Sequence, residues 1–209
     1  MKKILLLVFA AICIVSCQKE ITDDTNIGDN TGGGYNNDTS NVLIGTWTFD
    51  SLSSQQHNTS DVNIDGDDYL TVSDYNYTSL GNFGTLTIND SLFKLTGITY
   101  SISTSTTLYS YENGVFKDSL PYLYPFYLPP TNSTSKYQLV GTDSVYFPEG
   151  GFSADTSYTQ PFGMTFKING NALVFTQPVN LDTTFVNSND SLTYHETSKG
   201  TSHLYFHKQ

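Results

Sequence analysis

From Val42 onward the chain alternates. Leu43, Gly45, Trp47 and Phe49 fall on one face of an extended segment, and Thr46, Thr48 and Asp50 fall on the other. That period of two is the signature of a half-buried strand. Further runs repeat it around turn residues. Thr85–Ile88 and Ser91–Leu95 flank Asn89-Asp90, and Met164–Ile168 and Ala172–Thr176 flank Asn169-Gly170-Asn171. Both read as hairpins, the second with a glycine free to take positive φ. Tyr69–Ser73, Ile98–Tyr109, Tyr137–Leu139, Ser144–Phe147, Leu192–His195 and His203–His207 add more strands. No stretch carries a 3.6-residue period. About eight to ten strands in serial hairpins predict one all-β domain over 42–209, either an antiparallel up-and-down barrel or a β-sandwich. Pro121–Pro130, with four prolines in ten residues, reads as a loop interrupting the meander, because proline has no place in a central strand.

The first sixteen residues follow a different logic. Lys2-Lys3 precede twelve apolar residues, Ile4–Val15, too few to span a bilayer and suited to a secretory signal peptide. Ile14-Val15-Ser16-Cys17 resembles the bacterial lipobox. That resemblance implies cleavage before Cys17 and acylation of Cys17, with an outer-membrane lipoprotein as the product, on either the cell-surface or the periplasmic face. Cys13, the other cysteine, is then discarded, so the mature domain has no disulfide and relies on its core. Residues 18–41 contain a glycine triplet, acidic residues and almost nothing to bury. They read as a flexible tether of ~25–30 Å reach. Gln18-Lys19-Glu20 and Asp23-Asp24 loosely resemble the acidic export signal of surface lipoproteins of the Bacteroidota.

Composition narrows the partners. The chain has nine lysines, no arginine and a formal charge of −11, which becomes −13 once Lys2 and Lys3 are removed. Such a chain cannot neutralise phosphates, so nucleic acid is excluded and the membrane is met through lipid. Ser, Thr and Asn make up 68 of the 209 residues. Binding built from hydroxyl and aromatic groups suits this composition better than ionic contact, which points to a small apolar or neutral glycan ligand. Tyr122, Tyr124, Phe126 and Tyr127, alternating with the prolines, are the candidate ligand-binding rings.

Leu43-Ile44-Gly45-Thr46-Trp47 resembles the Gly-x-Trp signature of lipocalins, especially the bacterial lipocalin-like lipoproteins of the Bacteroidota type, in which a leader and short tether precede such a strand. The resemblance implies a barrel whose lower end Trp47 closes, and in some members a hydrophobic ligand. A basic residue of the last strand, usually arginine, covers the tryptophan in that family. This chain has Lys208 in its place.

Two further patterns bear on chemistry. Asp61-x-Asn63-x-Asp65-Gly66, with Asp67 after it, matches the first half of a calcium loop, so calcium is the one cofactor the sequence suggests. Position twelve is Val72, where a bidentate glutamate is expected. Asp followed by Ser or Thr recurs at Asp50, Asp90, Asp118, Asp143, Asp182 and Asp190. The triplet resembles an O-glycosylation acceptor of exported Bacteroidota-type proteins, and it is equally good turn chemistry. His203 and His207, four apart on a strand, are ~13 Å from one another and cannot share a metal. No cysteine nucleophile survives processing, and no Gly-x-Ser-x-Gly elbow or phosphate loop is present. The reading is therefore a noncatalytic binding module, with a structural or adhesive surface protein as the alternative. A carboxylate hydrolase is the third class, because spacing in sequence does not fix spacing in space.

Overall fold

A computed structural model describes residues 42–150, 161–188 and 190–209. Cys17 and the 18–41 tether lie outside the described residues. The strands are β1 (Gly45–Ile64), β2 (Asp67–Thr78), β3 (Leu80–Ile88), β4 (Leu92–Glu112), β5 (Val115–Lys136), β6 (Gln138–Val140), β7 (Ser144–Phe147), β8 (Phe162–Asn169), β9 (Ala172–Val186) and β10 (Thr193–Lys208). All ten belong to one antiparallel sheet, so the two separate sheets of a sandwich do not form.

The ten strands occupy eight lanes. β2 and β3 run in the same direction along β1, β2 beside Ser53–Ile64 and β3 beside Gly45–Thr48. Only Tyr137 separates β5 from β6; β5 pairs with β4 and β6 with β7. The last strand returns to the first, from Trp47↔Lys208 up to Val62↔Tyr194. The result is a barrel-like ring, closed through the short β6–β7 ladder at the end that holds Trp47. Above that level the sheet opens. Among the described residues, β5 has no ladder partner besides β4, and β9 beyond Thr176 has none besides β10.

That open edge explains the proline-rich segment, which is not a loop. Pro121–Pro130 lies within β5. Pro121 and Pro125 share one parity, so their missing amides fall on one side of the strand, and Pro129 and Pro130 fall at a register shift between Leu128 and Thr131. On an edge strand that side has no acceptor to disappoint, and the prolines discourage pairing with another chain.

The lower interior is filled. Rings run in contact from Phe49 to Phe206 (5.5 Å), Phe175 (6.0 Å), Phe93 (5.6 Å), Phe147 (5.2 Å) and Phe162 (4.8 Å). Trp47 is wholly buried, and its indole N–H donates to the Leu43 carbonyl at 2.9 Å. Lys208 Nζ sits 5.4 Å from the Trp47 ring centroid, a cation–π contact. Gly45 stands beside it at φ +142°, a backbone conformation that favours glycine. The Asp-Ser triplets divide. Those at Asp90, Asp143 and Asp190 stand at turns shortly before β4, β7 and β10, where turn chemistry accounts for them, while those at Asp50, Asp118 and Asp182 lie within strands.

Candidate functional site

Above the phenylalanine floor the interior changes character. Tyr75 and Tyr77 of β2, Tyr100 of β4, and Tyr122 and Tyr124 of β5 all face inward, because alternate residues of a strand share a face. Tyr75 and Tyr124 meet edge to face at 5.6 Å, and Tyr100 packs on Phe126 at 5.9 Å and on Phe49 at 6.0 Å. Burial pushes the phenols of Tyr75, Tyr77, Tyr100 and Tyr124 above the ordinary tyrosine range, and Tyr77, Tyr75, Tyr122 and Tyr100 each add to the rise at Tyr124. The hydroxyls of Tyr75, Tyr77, Tyr100 and Tyr124 stay neutral at physiological pH, able both to donate and to accept.

A hydroxyl and amide band faces the tyrosines. Cross-strand pairing lines up Ser73, Asn58 and Ser198 in one inner row. Ser54 Oγ lies 2.8 Å from Ser202 Oγ, Gln56 Nε2 donates to Ser54 Oγ at 2.8 Å, and Ser198 Oγ donates to Gln56 Oε1 at 3.4 Å. Asn58 Oδ1 is enclosed and accepts no hydrogen bond, an arrangement that a water or a ligand hydroxyl relieves. Glu196, on the same inner face, has its carboxyl pushed up by burial. Apart from the Glu196 carboxyl, the layer offers hydroxyl and amide groups beside aromatic rings.

The four aromatic candidates do not share a surface. Tyr122, Tyr124 and Phe126 point inward, and Tyr124 is buried in the core. Tyr127 stands on the opposite face of β5, 64% exposed. Proline spacing drew attention to the segment, but the alternation of a strand divides it. Tyr75, Tyr77 and Tyr100 escaped notice because they lie on other strands, far away in sequence.

The residues of the calcium pattern lie in and beside the hairpin that joins β1 to β2. Asp65 (φ +56°) and Gly66 (φ +97°) form the two-residue turn joining β1 to β2, where both central residues take positive φ. Asp67 pairs with Ile64, one position out of phase with Asp61 and Asn63, so its side chain lies on the other face. Asp61 is taken by His195, Asn63 Oδ1 accepts from the Gly66 amide at 3.2 Å, and Asp67 Oδ1 accepts from Asn113 Nδ2 at 2.9 Å. Among the described residues no cluster of His, Cys, Asp and Glu is arranged to hold a metal.

Asp61 instead belongs to a cross-strand clamp on the outer face. His195 of β10 places Nδ1 2.9 Å from Asp61 of β1 and Nε2 2.8 Å from Asp182 of β9. Both ring nitrogens must donate, so the clamp requires the imidazolium. The hydrogen bonds to Asp182 and then to Asp61 hold the His195 pKa above the ordinary imidazole value. Its stabilisation is complete below the unfolded-state pKa of ~6.5 and is lost as pH rises through the raised folded value. An NMR titration should show His195 titrating above 6.5, with amide exchange in Asp182–Val186 accelerating over the same range. A His195 titrating at or below its unperturbed value would contradict the clamp. The other histidines are spread along the same face: His57 on Asp74 (2.8 Å), His207 on Asp50 (2.6 Å) and His203 on Thr176 (3.0 Å).

No family model matches the chain, and no curated protein matches it. Among solved structures, the translocator domain of autotransporter NalP from Neisseria meningitidis aligns over 76% of this chain and 88% of its own, at 10% identity and a TM-score of 0.20. A likeness at that score carries no argument about fold or function.

Proposed function

We propose that this chain is an exported, lipid-anchored, noncatalytic binding module for a neutral glycan, held at the outer membrane through Cys17. The observation that carries the ligand class is the convergence of five tyrosines and a hydroxyl–amide band above a ring-packed floor. The floor leaves an apolar guest no room in the lower barrel. The layer above it consists of groups that hydrogen-bond sugar hydroxyls and rings that stack on sugar faces. The buried Trp47 under Lys208 agrees with the lipocalin-like reading of Gly45-x-Trp47. The leader pattern supports the anchor.

The anchor is tested by Cys17→Ala. The variant should leave the membrane fraction and keep an altered leader; equal membrane retention with unchanged processing would end the lipoprotein reading. The site is tested by the double variant Tyr75→Phe and Tyr122→Phe, which keeps both rings and deletes two hydroxyls. At about 1 kcal/mol for each neutral hydrogen bond, retention on immobilised neutral glycans should fall by about thirtyfold. The melting temperature should move by less than about 4 °C, the shift expected for ~1 kcal/mol in a domain of this size. Unchanged retention would remove the tyrosine layer from the site.

A second reading rests on the free edge strand. Leu123 and Tyr127 share the outer face of β5 and are both more than half exposed, apolar surface suited to a protein partner. A variant with Leu123→Ser and Tyr127→Ser that loses cell-surface adhesion while keeping glycan retention would favour that reading.

A further inference from the structure

The outer face of β10, β1 and β2 carries a concavity, and Gly200 is among the residues that line it. A Cβ on Gly200 would collide with the Gln55 carbonyl and lie 2.8 Å from Gln56 Cα. Glycine therefore lets β10 and β1 approach where no side chain could fit. Around this pinch lies an open depression of about 480 Å³. Six outward side chains frame it in two rows across three lanes. Lys199, His57 and Asp74 form one row, and Thr201, Gln55 and Asn76 form the other.

The chemistry of the six is dipolar. Lys199 has no carboxylate within ion-pair distance among the described residues, and the carboxamides of Gln55 and Asn76 make no hydrogen bond there. Asp74 accepts from His57 at 2.8 Å and keeps its other oxygen. The net charge of the patch is close to zero in a strongly acidic chain, so a dipolar ligand is not repelled as an anion would be. Of the six only His57 carries a ring, and its Nδ1 is engaged with Asp74; Gln56 and Tyr75 also line the depression.

We propose that this depression binds a short peptide with free termini. Lys199 and Asp74 sit two lanes apart, ~10 Å at ~4.8 Å per lane. An extended tripeptide at ~3.3 Å per residue spans about the same distance. Its carboxylate meets the Lys199 ammonium and its amino group meets Asp74. The Gln55 and Asn76 carboxamides, each both donor and acceptor, match the peptide groups between.

The test uses the full mature chain and triglycine, followed by calorimetry and by the His57 ring resonances. Triglycine should bind and shift His57. N-acetyl-triglycine and triglycine amide should each bind at least about tenfold more weakly, and Lys199→Ala should lose about tenfold for triglycine. Lys199 is exposed and makes no ion pair, so this variant should fold normally. Tyr122→Phe should bind triglycine like the wild type, which separates this site from the glycan layer. The proposal is overturned if triglycine does not bind at millimolar concentration, if peptide capped at both ends binds equally well, or if a neutral trisaccharide shifts His57 in its place.

Discussion

Trp47→Ala should cost about 3–5 kcal/mol of folding stability, the range for truncating a fully buried large aromatic residue. Three losses combine there. The indole vacates a site that is wholly enclosed, the Leu43 carbonyl loses its 2.9 Å donor, and Lys208 loses the ring beneath its ammonium. The loss is a large fraction of the roughly 5–15 kcal/mol available to a domain. Trp47 is the chain's only tryptophan, so urea unfolding should be followed by circular dichroism, which the substitution leaves usable. A loss below ~1 kcal/mol, the scale of an ordinary surface change, would mean that Trp47 does not close the barrel.

Phe93→Ala should be comparably severe, about 3–5 kcal/mol, for a different reason. Phe93 is the hub of the floor. Its ring lies 4.5 Å from Tyr137, 5.2 Å from Phe147 and 5.6 Å from Phe175, joining β4 to the β5–β6 junction, to β7 and to β9. Each such ring pair is worth ~0.5–1.5 kcal/mol beyond burial, and the three-residue β6 ladder can do little to hold the closure alone. Unfolding followed by Trp47 fluorescence suits this variant. Phe93→Leu should recover part of the loss, because it refills much of the volume without restoring the edge-to-face contacts. A Phe93→Leu variant as stable as the wild type would mean that ring geometry contributes nothing at the closure.

The fold was legible where apolar contrast marked the alternation. Leu43 to Phe49 announced β1, and Asn169-Gly170-Asn171 announced the β8–β9 turn. Legibility failed where both faces of a strand are polar. β1 runs to Ile64 through Ser-Ser-Gln-Gln-His-Asn-Thr-Ser-Asp, and period two cannot be seen when hydroxyls point both ways. Proline content hid β5, because the rule that bars proline from central strands is silent about edges, and which strand is an edge is a property of the whole sheet. The calcium pattern has a second, local meaning: Asp-Gly between alternating polar residues is also the sequence of a tight hairpin. The tyrosine layer and the His195 clamp were out of reach altogether, since each joins strands far apart in the chain. Asp61 and His195 meet only because the last strand returns to the first.

The claim that the tyrosine layer takes a neutral sugar is tested most directly by titrating the mature protein with a panel of neutral oligosaccharides and, separately, with a hydrophobic fluorescent probe, while recording the ring resonances of its tyrosines. The account predicts that at least one oligosaccharide shifts Tyr75 and Tyr122, that the hydrophobic probe shifts neither, and that the phenylalanine floor is unmoved by both. Binding of the hydrophobic probe among the floor rings, with the oligosaccharides inert, would contradict it.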